Sequence, residues 1–129
     1  MPVLTAAAWR ARPRAASSGH AAPLVVCLCA AWCDTCSAFR VTFERIAETR
    51  PNITFLWLDI EDDAGICGEI DVENFPTLAI WRADALVFYG ASLPQEGSVA
   101  RLIDAMAGDA PPAPSAPAAV VELGRALTR

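Results

Sequence analysis

The run Leu24–Val25–Val26–Cys27–Leu28–Cys29 places six apolar residues in a row with no polar alternation. A strand with one wet face alternates; a strand covered on both faces does not. The run therefore predicts a central strand with structure packed on both sides. After it, Asp34 to Arg50 carries Phe39, Phe43, Ile46 and Ala47 at helical spacing, and Pro51 ends the segment. Ile53–Leu58 is a second apolar strand. A strand–helix–strand unit of this kind makes its two strands parallel, with a right-handed crossover.

The remaining segments extend that unit. Glu61–Ile70 reads as a short helix in an acidic stretch. Thr77–Trp81 is a third strand. Arg82–Ala83–Asp84 forms a tight turn into Leu86–Tyr89, so these two strands make an antiparallel hairpin, and Gly90 breaks the chain. Ser98–Ala107 is the last core helix, with Val99, Leu102, Ile103 and Met106 on one face. The fold class is α/β: a central mixed sheet flanked by helices on both faces.

Residues 1–22 read as an N-terminal extension. In it Thr5 caps a short helix through Ala6–Arg12, Pro13 stops that helix, and Ser17–Ser18–Gly19 is loop. Residues 23–107 are the domain. Residues 108–129 hold a linker, Gly108–Pro117, with four prolines, and then a short helix, Ala118–Leu127, with Val120, Leu123 and Leu127 on one side. An isolated helix of that length is marginal in water. It docks on the core, docks on another chain, or frays.

Composition narrows the chemistry. With 129 residues, 54% apolar and 19% charged, the chain suits one domain with a real core. It has no lysine, which excludes Schiff-base catalysis. A single histidine, His20, leaves little for histidine metal sites or a Ser-His-Asp triad. A net charge of −5 argues against nucleic acid as a partner. Residues 1–50 carry +3 and residues 51–129 carry −8. This reads as a solvated acidic face, or as steering towards a basic partner. No apolar stretch approaches the roughly 20 residues of a membrane span. Ala21–Cys33, with Arg10, Arg12 and Arg14 upstream, resembles a signal h-region, but cleavage near its end would split the cysteines. A soluble, cytoplasmic protein with no membrane partner is expected.

Four of the five cysteines, Cys27, Cys29, Cys33 and Cys36, fall within ten residues. Bunched cysteines indicate redox chemistry or metal binding rather than a disulfide framework. Trp32–Cys33–Asp34–Thr35–Cys36 sits where the central strand ends and the helix begins. A helix start offers free N–H groups and partial positive charge, both of which favour a thiolate at Cys33. Cys36 lies one turn on along the same face, where it can resolve a mixed disulfide formed at Cys33. A second signal is Phe75–Pro76–Thr77. A proline opening an internal strand marks a special backbone geometry, a cis bond being one option.

Together these residues resemble the thioredoxin family over roughly residues 24–107. The match rests on the W-C-x-x-C stretch Trp32–Cys36, on Phe75–Pro76–Thr77, and on Gly90 after the last strand. The resemblance implies a thioredoxin-like fold and thiol–disulfide exchange, with Cys33 and Cys36 catalytic. It implies that Pro76 is cis and faces the two cysteines. It also implies that Trp32, Phe75, Pro76 and Gly90 meet an extended substrate segment, Phe75 through backbone hydrogen bonds. No metal and no organic cofactor is implied. The expected partners are disulfide-containing protein substrates and an electron donor such as a flavoenzyme of the thioredoxin-reductase type.

The sequence also departs from the family. Many thioredoxins carry a buried aspartate six positions before the first active cysteine; here that position is Cys27. It is either a small core filler or a third redox thiol able to pair with Cys36. Cys29, on the same strand face, reads as packing. Val41 stands where the family often has a helix-kinking proline. Trp57 reads as core. Cys67 is assigned no role, the alternative being a half-exposed thiol able to link two chains. Asp34 aids the helix start by about 0.3–1 kcal/mol. At ~6 Å and an effective dielectric of ~20–80, however, its charge opposes a neighbouring thiolate by about 0.7–3 kcal/mol. A reductant rather than a strong oxidant is expected. Two other classes stay open: a four-cysteine metal or iron–sulfur site, and a binding or scaffold domain with weak catalysis.

Overall fold

A computed structural model describes residues 3–11, 23–68, 70, 72, 74–82, 85–108, 111–113 and 116–128. In chain order these form β1 (Val3–Leu4), α1 (Ala6–Ala11), β2 (Leu24–Cys29), α2 (Asp34–Glu48), β3 (Thr54–Asp59), α3 (Ala64–Cys67), β4 (Thr77–Arg82), β5 (Ala85–Ala91), α4 (Glu96–Ala107) and α5 (Ala118–Thr128). The strands make one sheet in the order β1-β3-β2-β4-β5. β1 and β2 run parallel to β3, while β4 is antiparallel to both β2 and β5.

β2 lies at the centre, and all six of its residues are buried. The two-residue period of a strand divides them between two apolar layers. Val25, Cys27 and Cys29 join Phe39, Phe43 and Ile46 of α2 and Val99 and Ile103 of α4. Leu24, Val26 and Leu28 join Ala6 of α1, Cys67 of α3 and Val120, Leu123 and Leu127 of α5. The uniformly apolar run is thus a two-sided strand.

Several elements differ from the sequence reading. Val3 and Leu4 form an edge strand, paired with Phe55 and Leu56, rather than lying in an extension. Two residues carry no periodicity of their own, and only the pairing with β3 makes them a strand. Thr5 caps α1, its hydroxyl accepting the Ala8 N–H at 3.2 Å. Arg12, Pro13, Ser17–Ser18–Gly19 and His20 lie outside the described residues.

α3 spans four residues, not the whole of Glu61–Ile70. The Asp59 carboxylate accepts the N–H groups of Glu61 and Asp62, and the Asp63 carboxylate accepts that of Asp59. These side-chain bonds hold a turn where helix was expected. At the other end Gly68, at φ 64°, stops the helix. Gly90 does not break the chain; it sits within β5 opposite Leu78. The β4–β5 hairpin forms, although Ala83 and Asp84 of its turn lie outside the described residues. Of the three fates open to the C-terminal helix, docking on the core is the one observed. No helix among the described residues is long and apolar enough to cross a membrane.

Candidate functional site

The site is built where β2 gives way to α2. Ala30 to Cys33 form the turn, closed by a bond from the Cys33 N–H to the Ala30 carbonyl at 3.1 Å. Cys33 is the N-cap of α2, with extended backbone, and no side chain caps the helix there. The first-turn N–H groups of α2 therefore keep their positive end turned towards the Cys33 position. Cys33 is half-buried and its thiol is free. Cys36, in the first turn of α2, is 1% exposed.

Cys36 is bonded. Its sulfur forms a disulfide with Cys29, the last residue of β2, with the Cα atoms 5.8 Å apart. The sequence reading gave Cys29 a packing role and paired Cys36 with Cys33; in the structure Cys29 is the partner and Cys33 stands alone. The local reason is geometric. Cys29 ends the strand on the face that α2 covers, and Cys36 is the first α2 side chain to enter that layer. A face argument applied to both residues would have found the pair. Cys27 lies behind them, fully buried, with its sulfur 3.8 Å from that of Cys29. Since Cys29 carries no hydrogen in the disulfide, the Cys27 thiol is the donor. Burial pushes the Cys27 thiol far up from its ordinary range, with the Arg40 charge opposing weakly.

The second half of the site comes from the start of β4. Thr77 pairs with Leu28, which brings Pro76 level with Cys29 across the two strands. The Phe75–Pro76 peptide is cis. The Thr77 hydroxyl donates to the Asn74 carbonyl at 2.6 Å, and the Ser92 N–H donates to the Pro76 carbonyl at 3.0 Å. These bonds fix the loop. Phe75 packs edge-on against Trp32, with ring centroids 5.5 Å apart, and both Phe75 and Cys33 pack on the core layer that holds Cys29 and Cys36. Trp32 is 64% exposed, so it is a rim residue and not core.

The structure thus brings Trp32, Cys33, Cys36, Phe75 and Pro76 together. Gly90 is set apart: it lies opposite Leu78 and lines a shallow cleft of about 280 Å³ with Val72, Asn74 and Thr77. Trp57 is half-buried, with the Arg40 guanidinium 5.0 Å above its ring. Both line a larger cleft, about 470 Å³, that reaches Cys36 and holds the carboxylates of Asp59, Asp62 and Asp63. Cys67 is 2% exposed, so it is not the half-exposed thiol left open above. Burial, with the Asp63 and Asp59 charges, pushes its thiol up to about 12. A four-cysteine metal site does not fit this arrangement: Cys29 and Cys36 spend their sulfurs on each other, and among the described residues no group of three or more donors is placed to hold an ion.

The family model described as Thioredoxin matches residues 3–104, a span that takes in β1 and α1 as well as the cysteines and Pro76. The chain is 32% identical over 96 residues to the thioredoxin-like protein CXXS1 of Oryza sativa subsp. japonica, covering 73% of this chain and 68% of that one. It is 30% identical to sulfhydryl oxidase 1 of Rattus norvegicus, over 90% of this chain but only 18% of the oxidase. Among solved structures, thioredoxin F from spinach chloroplast superposes with a TM-score of 0.58 at 22% identity, covering 68% of this chain and 79% of that one. Mitochondrial thioredoxin 3 from Saccharomyces cerevisiae does so at 0.57 and 19%, covering 65% and 78%. At those identities the structural likeness is one of fold. The matched span, the sheet order and the sulfurs at the strand–helix junction lead to one conclusion: the chain belongs to the thioredoxin family.

Proposed function

We propose that the protein is a thiol–disulfide oxidoreductase that reduces disulfides in protein substrates, with Cys33 as the attacking thiol and Cys36 as the resolving one. The observation that carries this reading is the position of Cys33: a free, half-buried thiol at the N-cap of a fifteen-residue helix, beside an exposed tryptophan. The Cys33 thiolate attacks one sulfur of the substrate disulfide and the other leaves as a thiolate. In the dithiol form the Cys36 thiolate then attacks the Cys33 sulfur. That closes a Cys33–Cys36 disulfide and releases the second substrate thiolate. Two electrons pass to the substrate, and an electron donor of the thioredoxin-reductase type restores the dithiol. Trp32, Phe75 and Pro76 form the rim against which the substrate chain lies, and Gly90 borders it more distantly. A reducing, cytoplasmic compartment suits this direction of flow, as does the Asp34 charge beside Cys33.

The test is an insulin disulfide-reduction assay with dithiothreitol as donor, comparing the wild type with Cys33→Ser. Loss of the catalysed rate in Cys33→Ser is expected. A wild-type rate no higher than that of Cys33→Ser would leave a binding domain as the better description.

A further inference from the structure

Cys33, half-buried at the N-cap of α2, stands three residues before Cys36, whose sulfur is bonded inward to Cys29. We propose that the bond from Cys36 to Cys29 is a second working state of the site, in which Cys33 acts alone as a single-thiol trap, capturing a disulfide-bearing substrate and holding it as a mixed disulfide. The proposal rests on Cys33 being the attacking thiol.

The five cysteines differ in access and in partner. Cys33 is free and half-buried, so a substrate disulfide can reach it. Cys29 and Cys36 are each 1% exposed and are bonded to each other. Cys27 is fully buried on the strand behind them, with its thiol turned to Cys29 at 3.8 Å. Cys67 packs in the apolar layer on the opposite side of the sheet. With the inward bond in place, no second thiol is positioned to attack an adduct at Cys33.

The chemistry balances in each state. In the trap state the Cys33 thiolate attacks a substrate disulfide, one new S–S bond forms, one breaks, and one substrate thiolate departs. No net electrons are transferred, and the adduct stays. An external dithiol then reduces the Cys29–Cys36 bond, supplying two electrons and two protons and ending as a disulfide itself. The freed Cys36 thiolate attacks the Cys33 sulfur and expels the captured substrate as a thiolate, leaving Cys33–Cys36 bonded. From the Cys33–Cys36 state the inward bond re-forms without net electron change: the Cys29 thiolate attacks the Cys36 sulfur and the Cys33 thiolate leaves. From the fully reduced protein it forms by passing two electrons and two protons to an external disulfide. The state of one buried bond thus selects between capture and turnover.

The test uses the full chain and glutathione disulfide as the probe. Wild-type protein is oxidised with oxidised dithiothreitol or fully reduced, freed of reagent, and exposed to the probe. Adducts are then followed by non-reducing peptide mass mapping, with Cys36→Ser as the reference for a site that has no resolver. The expected result is glutathione on Cys33 with Cys29–Cys36 intact in the oxidised sample. Its lifetime should lie within about threefold of that in Cys36→Ser, and roughly tenfold or more beyond that in the reduced sample. Equal lifetimes in the oxidised and reduced wild type would overturn the trap while leaving the exchange function standing. So would a Cys33–Cys36 bond in place of Cys29–Cys36 in the oxidised sample. Absence of any Cys33 adduct, even in Cys36→Ser, would overturn both. The decisive comparison is between two states of one wild-type chain, so it does not depend on how a variant folds.

Discussion

The five cysteines share one chemistry and differ in their surroundings. The thiolate is the reactive form, and burial in an apolar layer disfavours it. Cys67 is raised to about 12, by burial first and then by the carboxylates of Asp63 and Asp59; Cys27 is raised by burial. In reduced native protein at pH 8, iodoacetamide is therefore expected to label Cys33 and to spare Cys27 and Cys67. Raising the pH to about 10 should leave Cys67 unlabelled, because its thiol is still protonated there. Mass mapping reads this directly, and labelling of Cys67 at the rate of Cys33 would contradict it. The same shift sets a limit on stability. A thiol raised in the folded state leaves stability intact below about pH 9, the ordinary value. Stability is lost as the pH climbs towards about 12, where the unfolded chain ionises first. At this scale the sequence was half legible. The motif located Cys33 and Cys36, because helix starts and C-x-x-C spacing are local. It did not locate the Cys29–Cys36 bond, which depends on which face of β2 the helix α2 covers.

Elements with a strong period were readable, and elements made by their neighbours were not. β2, α2, the β4–β5 hairpin and α4 all stand close to where their apolar pattern put them. β1 was missed because two residues show no pattern until β3 pairs with them. The fate of α5 was undetermined for a related reason: its apolar face says that it is covered, not by what. The structure shows the cover to be Trp81 and its layer, and Gly124 faces the Trp81 ring. A Cβ built at Gly124 would lie 2.8 Å from Nε1 and 3.1 Å from Cε2 of the Trp81 ring. Gly124→Ala should gain up to about 1 kcal/mol in helix propensity. It should lose about 1–3 kcal/mol to the clash with a buried ring that has little room to turn. A net loss is expected, read as a lower urea midpoint with an unchanged slope. A stabilised variant would mean that α5 is free to slide off Trp81. Leu123→Ala, which empties a fully buried position in the same contact, is expected to cost about 2–5 kcal/mol.

For the molecule as a whole, charge is arranged across the fold rather than along the chain. The sequence divides into a basic first half and an acidic second half, which reads as a solvated face or a steering field. The structure shows a third use. Arg45, in the last turn of α2, and Arg50, just after it, reach Glu96 and Asp104 of α4, so the two halves are joined on the face opposite α5. Arg50 holds Asp104 with both ends of its guanidinium fork, at 2.7 and 2.8 Å. The hydrogen bond from Arg50 is the main cause that lowers the Asp104 carboxyl from its ordinary 3.8. Asp104 is more than half exposed although Arg50 is largely covered, so solvent screens the pair and its worth is about 1 kcal/mol or less. The sign follows from the direction of the shift. A lowered carboxyl contributes stability that is fully present above the ordinary value, and loses it as the pH falls through the lower, folded one. Asp104→Asn is therefore expected to unfold at lower urea than the wild type by a constant margin between about pH 5 and pH 8. The margin should shrink below about pH 4 and close as Asp104 takes up its proton. About 0.5 M salt should narrow it at neutral pH, as screening weakens an exposed pair. A margin that ignored both pH and salt would place the cost of the substitution in packing, not in the tie between α2 and α4. The same comparison bears on the site, since α2 carries Cys36 at one end and the Arg50 fork just beyond the other. If the tie holds α2 in place over the sheet, Asp104→Asn should leave the Cys29–Cys36 bond more readily reduced by dithiothreitol, by about threefold for a loss of roughly 0.6 kcal/mol.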